Sequence, residues 1–360
     1  VNATRTDAAV HAGHDASPGV PPIDWDVAVS TASRLVRPGP SVPVAEAEAS
    51  VARLRSITAE AEGHVRELTG LGGGPLLDGV VVDRASWLRS AADGIAAMTD
   101  GALPTRTGKA AAVMAGTAGV QAGVVLAYLG SRVLGQYDPF AGESGKLLLV
   151  APNIVAARRA LEVDAADFDM WVCLHECTHR LQFTAVPWLR GYFRDQVAGF
   201  VGGLEDSAES LSTRLPELLK AARGKPDPTS SSGPMGVVEL MQSPAQRAVF
   251  DRLIAMSTLL EGHADHVMDA VGPVVVPSVT TIRKRFTERR KGGGLLDRVL
   301  RSLLGVDAKM KQYAVGAKFT TEVVDTVGMT AFNAIWTSPE TLPLRSELSD
   351  PQAWVRRVCP

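Results

Sequence analysis

His175 and His179 stand four residues apart, with Glu176 beside the first, in the stretch Trp171-Val172-Cys173-Leu174-His175-Glu176-Cys177-Thr178-His179. On an α-helix, residues four apart lie one above the other on a single face. Two imidazoles so placed can share one zinc ion, and the Glu176 carboxylate can act on a metal-activated water. This is the spacing that metal-dependent peptide hydrolysis uses. The surrounding residues predict the helix. Phe168, Trp171, Val172, Leu174 and Leu181 recur with helical rather than alternating periodicity, and no Pro or Gly interrupts residues 165–185. Asp164 or Asp167 can cap its start, and Pro187 limits its end. Desolvating two imidazoles and a carboxylate among apolar neighbours is costly unless they are partnered, and a metal supplies the partner.

The cysteines interleaved with these histidines do not belong to the same site. At about 100° per residue, Cys173 and Cys177 lie roughly 160° around the helix from His175. They read as small core residues. Cys359 stands alone near the C-terminus, and three cysteines without a CxxC pair argue against a disulfide framework or a zinc ribbon.

A catalytic zinc site takes three protein ligands and leaves one position open. A third histidine six residues after His179 would mark a metzincin. That position is Ala185, and position 182 is Gln where that pattern needs Gly, so this class is excluded. The other source is a second helix. In Leu259-Leu260-Glu261-Gly262-His263-Ala264-Asp265-His266, Glu261 and Asp265 share one helical face. Glu261 can bind the metal, while Asp265 accepts a hydrogen bond from the far nitrogen of His175 or His179. Gly262 and Ala264 are small enough for this helix to approach the first one closely. His263 and His266 are rival third ligands, since they point well away from Glu261 around an ideal helix and only one face can meet the metal.

The Glu-x-x-x-Asp arrangement resembles the second-helix signature of gluzincin peptidases such as thermolysin. Further segments widen the resemblance: Val186-Pro187-Trp188-Leu189-Arg190, Glu261 to Asp269, and Asp307-Ala308-Lys309-Met310-Lys311-Gln312-Tyr313. Together with Trp171–His179 they are similar to the zincin-like metallopeptidase family of actinobacteria and relatives. Some members of that family carry the labels "coenzyme F420 biosynthesis-associated" or hydrolase. The likeness spans roughly residues 25–358. It implies a mainly α fold with a small β component and a zinc site between the His-Glu-x-x-His helix and a second, Glu-bearing helix. The F420 label reflects co-occurrence rather than chemistry, so no F420-binding role follows from it.

Those elements need a large scaffold, and 360 residues can bury one, as a single large domain over residues 23–358 or as two lobes around a metal cleft. Residues 1–22 read as a disordered tail. They lack the apolar core of a secretory signal, which favours the cytoplasm. Helices are predicted over 25–36, 44–68 and 84–98, short strands over 77–82 and 147–150, and two helices over 188–224. The strand at 147–150 is a candidate for pairing with an extended substrate. Pro226–Gly236 reads as a loop. Later helices are broken at Pro273, Pro277 and Gly292–Gly294, and Pro339, Pro343 and Pro351 mark an irregular end. Residues 110–131 are uncharged and long enough to span a bilayer. Their Ala, Gly, Thr, Gln and Ser content reads instead as a tightly packed internal helix, so no membrane span is expected.

A net charge of −2 gives no bulk attraction to nucleic acid, and the sparse aromatics are not interleaved with a basic stripe. The basic run from Arg283 to Lys291 reads as a solvated helix face. The expected activity is zinc-dependent hydrolysis of a peptide or amide substrate, with Glu176 as general base. Tyr313 is the first choice for an oxyanion donor, ahead of Lys309, Lys311, His263, His266 and Arg190. The competing reading is a non-catalytic zinc scaffold or interaction protein.

Overall fold

The computed structural model of the chain describes residues 19–73, 76, 78–102, 104–203, 244–291 and 306–359. Its elements run α1 (Trp25–Leu35), α2 (Val44–Thr69), β1 (Val80–Val82), α3 (Arg84–Thr99), α4 (Lys109–Gly130), β2 (Gly135–Asp138), β3 (Lys146–Val150), α5 (Ala151–Leu161) and α6 (Ala165–Thr184). A helical stretch over 189–203 follows. Then come α7 (Pro244–Val275), α8 (Val279–Lys291), α9 (Val306–Phe332), three short 3-10 turns and α10 (Pro351–Val358). The fold is therefore mainly helical with one small sheet, as expected.

The apolar run Leu147–Val150, which follows the exposed Lys146 in β3, forms the centre of that sheet. β3 pairs in parallel with β1 and antiparallel with β2, in the order β1-β3-β2. Successive side chains of a strand point to opposite faces, so a run without polar residues suits a strand covered on both sides. Leu147 and Leu149 enter one core, built largely on α2, α6, α7 and α9. Leu148 and Val150 enter a second, built on α1, α3 and α4. With both its edges paired, β3 has none left for an extended substrate. The edges of the described sheet are β1 and β2, and β2, which lacks an apolar pattern, was not foreseen.

Two helix crossings depend on glycine. On α4, Gly119 and Gly123 face α1 so closely that a Cβ at either would land 2.4 and 2.6 Å from the carbonyl oxygens of Asp24 and Ala28. The small residues of α4 thus work as expected on one side. The other side is bare: Val113 is 70% exposed and Met114 59%, so the helix is not internal. It is long and apolar enough to cross a membrane by length and composition. The second crossing joins α7 to α9, where a Cβ on Gly262 would sit 2.1 Å from the Gly316 carbonyl carbon. The small residue at 262 thus serves the approach of α9.

The prolines near the end act differently from their expected roles. Pro273 lies within α7, whose final turn continues to Val275. Its missing N–H matters little so close to the helix end. Pro351 opens α10 at the first turn, where no N–H is needed, and Asp350 caps it through Ala353 N. Of the tail read over 1–22, residues 1–18 lie outside the described residues, and Val20 makes an antiparallel bridge to Arg106. The loop at Pro226–Gly236, the break at Gly292–Gly294 and the end of the helices read to 224 also lie outside them.

Adding one methyl group at the α7–α9 crossing forces backbone apart from backbone. Gly262→Ala is expected to lower unfolding stability by roughly 2 kcal/mol or more, read by urea denaturation. Unchanged stability would show that the two helices are not in contact there.

Candidate metal centre

α6 carries most of the site. Asp164 caps its start, its carboxylate accepting from Ala166 N and Asp167 N, and Asp167 instead accepts from Ser278 N. Cys173 and Cys177 are fully buried and face Thr58 of α2, away from the imidazoles. His175 and His179 point toward α7. Their Nε2 atoms lie 3.2 Å apart, and Glu261 Oε2 lies 3.7 Å from the first and 3.8 Å from the second. One ligand atom from each residue falls within 4.8 Å of the others.

This donor set fits a zinc ion. Tetrahedral coordination at ordinary zinc–nitrogen and zinc–oxygen lengths spaces neighbouring ligand atoms by about 3.3–3.6 Å, within a few tenths of an ångström of what is seen. Two imidazoles and a carboxylate also leave a fourth position free. The side chains keep 27%, 16% and 21% of their surface exposed, so the triad faces solvent rather than being sealed in the core.

Glu176 lies on the inner side of α6 against β2. Gly135 is the reason it fits: a Cβ there would stand 2.6 Å from Glu176 Cγ. The Glu176 carboxylate accepts the Tyr137 backbone N–H. Burial and the nearby charge of Glu261 together push its carboxyl up to about 8. A dication held by the triad would oppose both effects.

The imidazoles are held from behind by residues not foreseen. Met268 Sδ is 3.3 Å from His175 Nδ1, and Gln182 Oε1 is 2.9 Å from His179 Nδ1. In the sequence Gln182 served only to exclude another zinc class. Its place one turn beyond His179, at i+3, was the available signal. Asp265, the carboxylate expected behind the imidazoles, has Arg283 among its partners: its Oδ1 lies 3.7 Å from the guanidinium, which also donates to its backbone carbonyl.

The rival ligands do not join the triad. His263 is fully buried between Phe332 and Trp336, 3.0 Å from Gln182 Nε2, and burial pushes it down to about 3. His266 turns to Thr321 Oγ1 at 3.0 Å. Arg190 is tied to the carbonyls of Gly142 and Glu143, each at 2.9 Å, so it braces the loop after β2. Tyr313, Lys309 and Lys311 lie on α9, with side chains outside the described residues. The basic run on α8 is partly structural rather than a purely solvated face. Arg283 pairs with Asp269 at 2.6 Å, and Arg285 donates to the Leu161 and Glu162 carbonyls that end α5.

Comparison with known proteins agrees with this architecture. Residues 23–355 match a family model described as "Zincin-like metallopeptidase". Among solved structures, one from Chloroflexus aurantiacus, described as "a putative hydrolase with a novel fold", is 29% identical. It aligns with a TM-score of 0.65 over 93% of this chain and 98% of its own. Among curated proteins no match is found.

Two outcomes are expected. Protein purified without chelator or added metal should carry close to one zinc per chain by elemental analysis, and Glu261→Ala sharply less. Equal content in the two would remove Glu261 from the ligand set. The second concerns pH. His263 titrates near 3 in the folded chain and near 6.5 when unfolded. Between those values the unfolded chain binds the extra proton, so the neutral ring's contribution is present above pH 6.5 and is lost on acidification. At pH 5 the loss is about 2 kcal/mol. In metal-free protein Glu176, raised to about 8, slopes the other way between its ordinary value and 8. The diagnostic is therefore the difference between proteins: His263→Gln should lose stability less steeply than wild type from pH 6.5 to 4.5. Parallel curves would contradict the buried neutral state.

Proposed function

Since the chain belongs to the zincin-like metallopeptidase family, we propose that it is a zinc-dependent hydrolase of peptide or related amide bonds. The observation that carries this reading is the His175–His179–Glu261 triad, open to solvent, with the buried Glu176 carboxylate close enough to feel the charge of Glu261. His175 Nε2, His179 Nε2 and a Glu261 oxygen would hold the ion. Once bound, zinc supplies Lewis-acid polarisation of a carbonyl and brings the pKa of water toward neutrality.

The remaining steps fall to the protein. The Glu176 carboxylate takes the proton from the attacking water and passes it to the leaving amine as the C–N bond breaks. Burial raises the proton affinity of this carboxylate and a bound dication would lower it, opposed effects that suit a group which must both accept and release a proton. Backbone of the β2 edge supports substrate positioning. β2 is an edge of the described sheet, as β1 is, and it is β2 whose Gly135 and Tyr137 meet Glu176. An extended peptide laid along that edge would bring its carbonyl past the general base.

The scaffold reading gives no account of Glu176. A site that only tied α6 to α7 would have no use for an acid residue held at 6% exposure beside the ligands. Zinc-loaded Glu176→Gln separates the two. The hydrolase reading expects wild-type zinc content and a fall of about 10²–10⁴-fold in cleavage of a fluorogenic peptide library. Undiminished cleavage by the variant would remove Glu176 from the reaction. Wild-type protein that holds zinc and cleaves nothing in the library would favour the scaffold.

A further inference from the structure

Gln182 and His263 form a fully buried polar pair, both at 0% exposure, and their hydrogen bonds admit one assignment of protons. The Gln182 amide touches three groups. Nε2 lies 2.9 Å from the Leu260 carbonyl oxygen and 3.0 Å from His263 Nδ1, while Oε1 lies 2.9 Å from His179 Nδ1. A carbonyl oxygen only accepts, so the atom facing Leu260 is the NH2. Turning the amide over would set two oxygens against each other in a place without solvent, at the cost of a buried unmade hydrogen bond. The Leu260 carbonyl therefore fixes which end of Gln182 faces His179.

The other assignments follow. The second NH2 hydrogen points at His263 Nδ1, so that nitrogen accepts and the His263 proton sits on Nε2. That atom has no hydrogen-bond partner in the described structure and is enclosed with the Phe332 and Trp336 rings, whose centroids are each 5.5 Å from the imidazole's. At the far end, Oε1 can only accept, so His179 must carry its proton on Nδ1. The lone pair of the neutral ring is then on Nε2, the atom that faces His175 Nε2 and Glu261 Oε2.

We propose that Gln182, oriented by the Leu260 carbonyl and by His263, is a positioning residue that locks His179 in the tautomer able to donate its Nε2 lone pair. A neutral amide does here what a carboxylate often does behind a ligand histidine. It adds no second negative charge behind a triad that already contains Glu261. His263, a rival ligand by sequence, serves as the fixed acceptor that keeps the amide from turning. The purpose of this lock rests on the zinc reading, but the lock itself can be observed without metal.

The experiment is long-range ¹H–¹⁵N NMR of the histidine rings in the metal-free full chain, beside zinc affinity measured by competition with a chromophoric chelator. Wild type is expected to show His179 protonated at Nδ1. Gln182→Leu, which removes the acceptor, should shift His179 toward the Nε2–H form and weaken zinc binding by about 10–100-fold. Gln182→Glu keeps an acceptor toward His179 and should retain the Nδ1–H tautomer, at a cost in stability because its second oxygen then faces the Leu260 carbonyl. His263→Phe should loosen the amide and give a mixture of tautomers. A wild-type His179 protonated at Nε2, or a folded Gln182→Leu with an unchanged tautomer, overturns the proposal. Should wild type show the Nδ1–H form yet take up no zinc, the lock stands and the metal reading fails.

Discussion

α6 is packed on nearly every side and yet carries Asp169, His175, Glu176, Thr178, His179, Arg180 and Gln182. A polar group withdrawn from water costs free energy unless it is partnered, and a charged one costs more. Each neighbouring element answers one of these groups. Arg53 of α2 and Arg158 of α5 hold Asp169 at 2.7 and 3.2 Å. Glu62 of α2 takes Arg180, and also Arg66 at 2.5 Å. β2 supplies a backbone N–H to Glu176, and α7 supplies the Leu260 carbonyl, His263 and Glu261. The layout around α6 follows from the need to satisfy it.

That layout fixes Glu261 from both sides in the chain. Leu260, just before it, accepts from Gln182. Gly262, just after it, rests on Gly316 with no side chain between. His263, one residue further, is clamped by rings. A carboxylate on a helix so tethered has little freedom to leave the imidazoles, although it comes from a part of the chain remote from them. Burial here confers precision on a site whose own ligand atoms still reach solvent.

Most of the helices and the two histidines of the candidate site were legible in the sequence because both are local. Helical periodicity and i, i+4 spacing need only a few adjacent residues. Glu261 was legible through the chemistry of its neighbours, but the choice between it, His263 and His266 was not. It depends on which face of α7 meets α6, and that is set by α9 through the Gly262–Gly316 contact. β2 was missed because an edge strand of four residues, Gly-Gln-Tyr-Asp, has no apolar alternation to show. Gln182 was visible as a departure from one pattern and, one turn beyond His179, as a possible neighbour, but the groups that orient its amide lie about 80 residues further on. α4 misled in part: small residues imply close approach, but they do not say on how many sides.

The ligands of the triad are widely spaced along the chain, and a chain is made from one end. Glu261 is 82 residues beyond His179. At ordinary rates of translation that gap lasts roughly 4–16 s. During it, α6 already displays its two imidazoles, while the third ligand, the Leu260 carbonyl and His263 do not yet exist. A growing chain thus holds two of the three candidate ligands before the third exists. If the triad takes a metal, its three-ligand site is complete only once α7 has been made and docked.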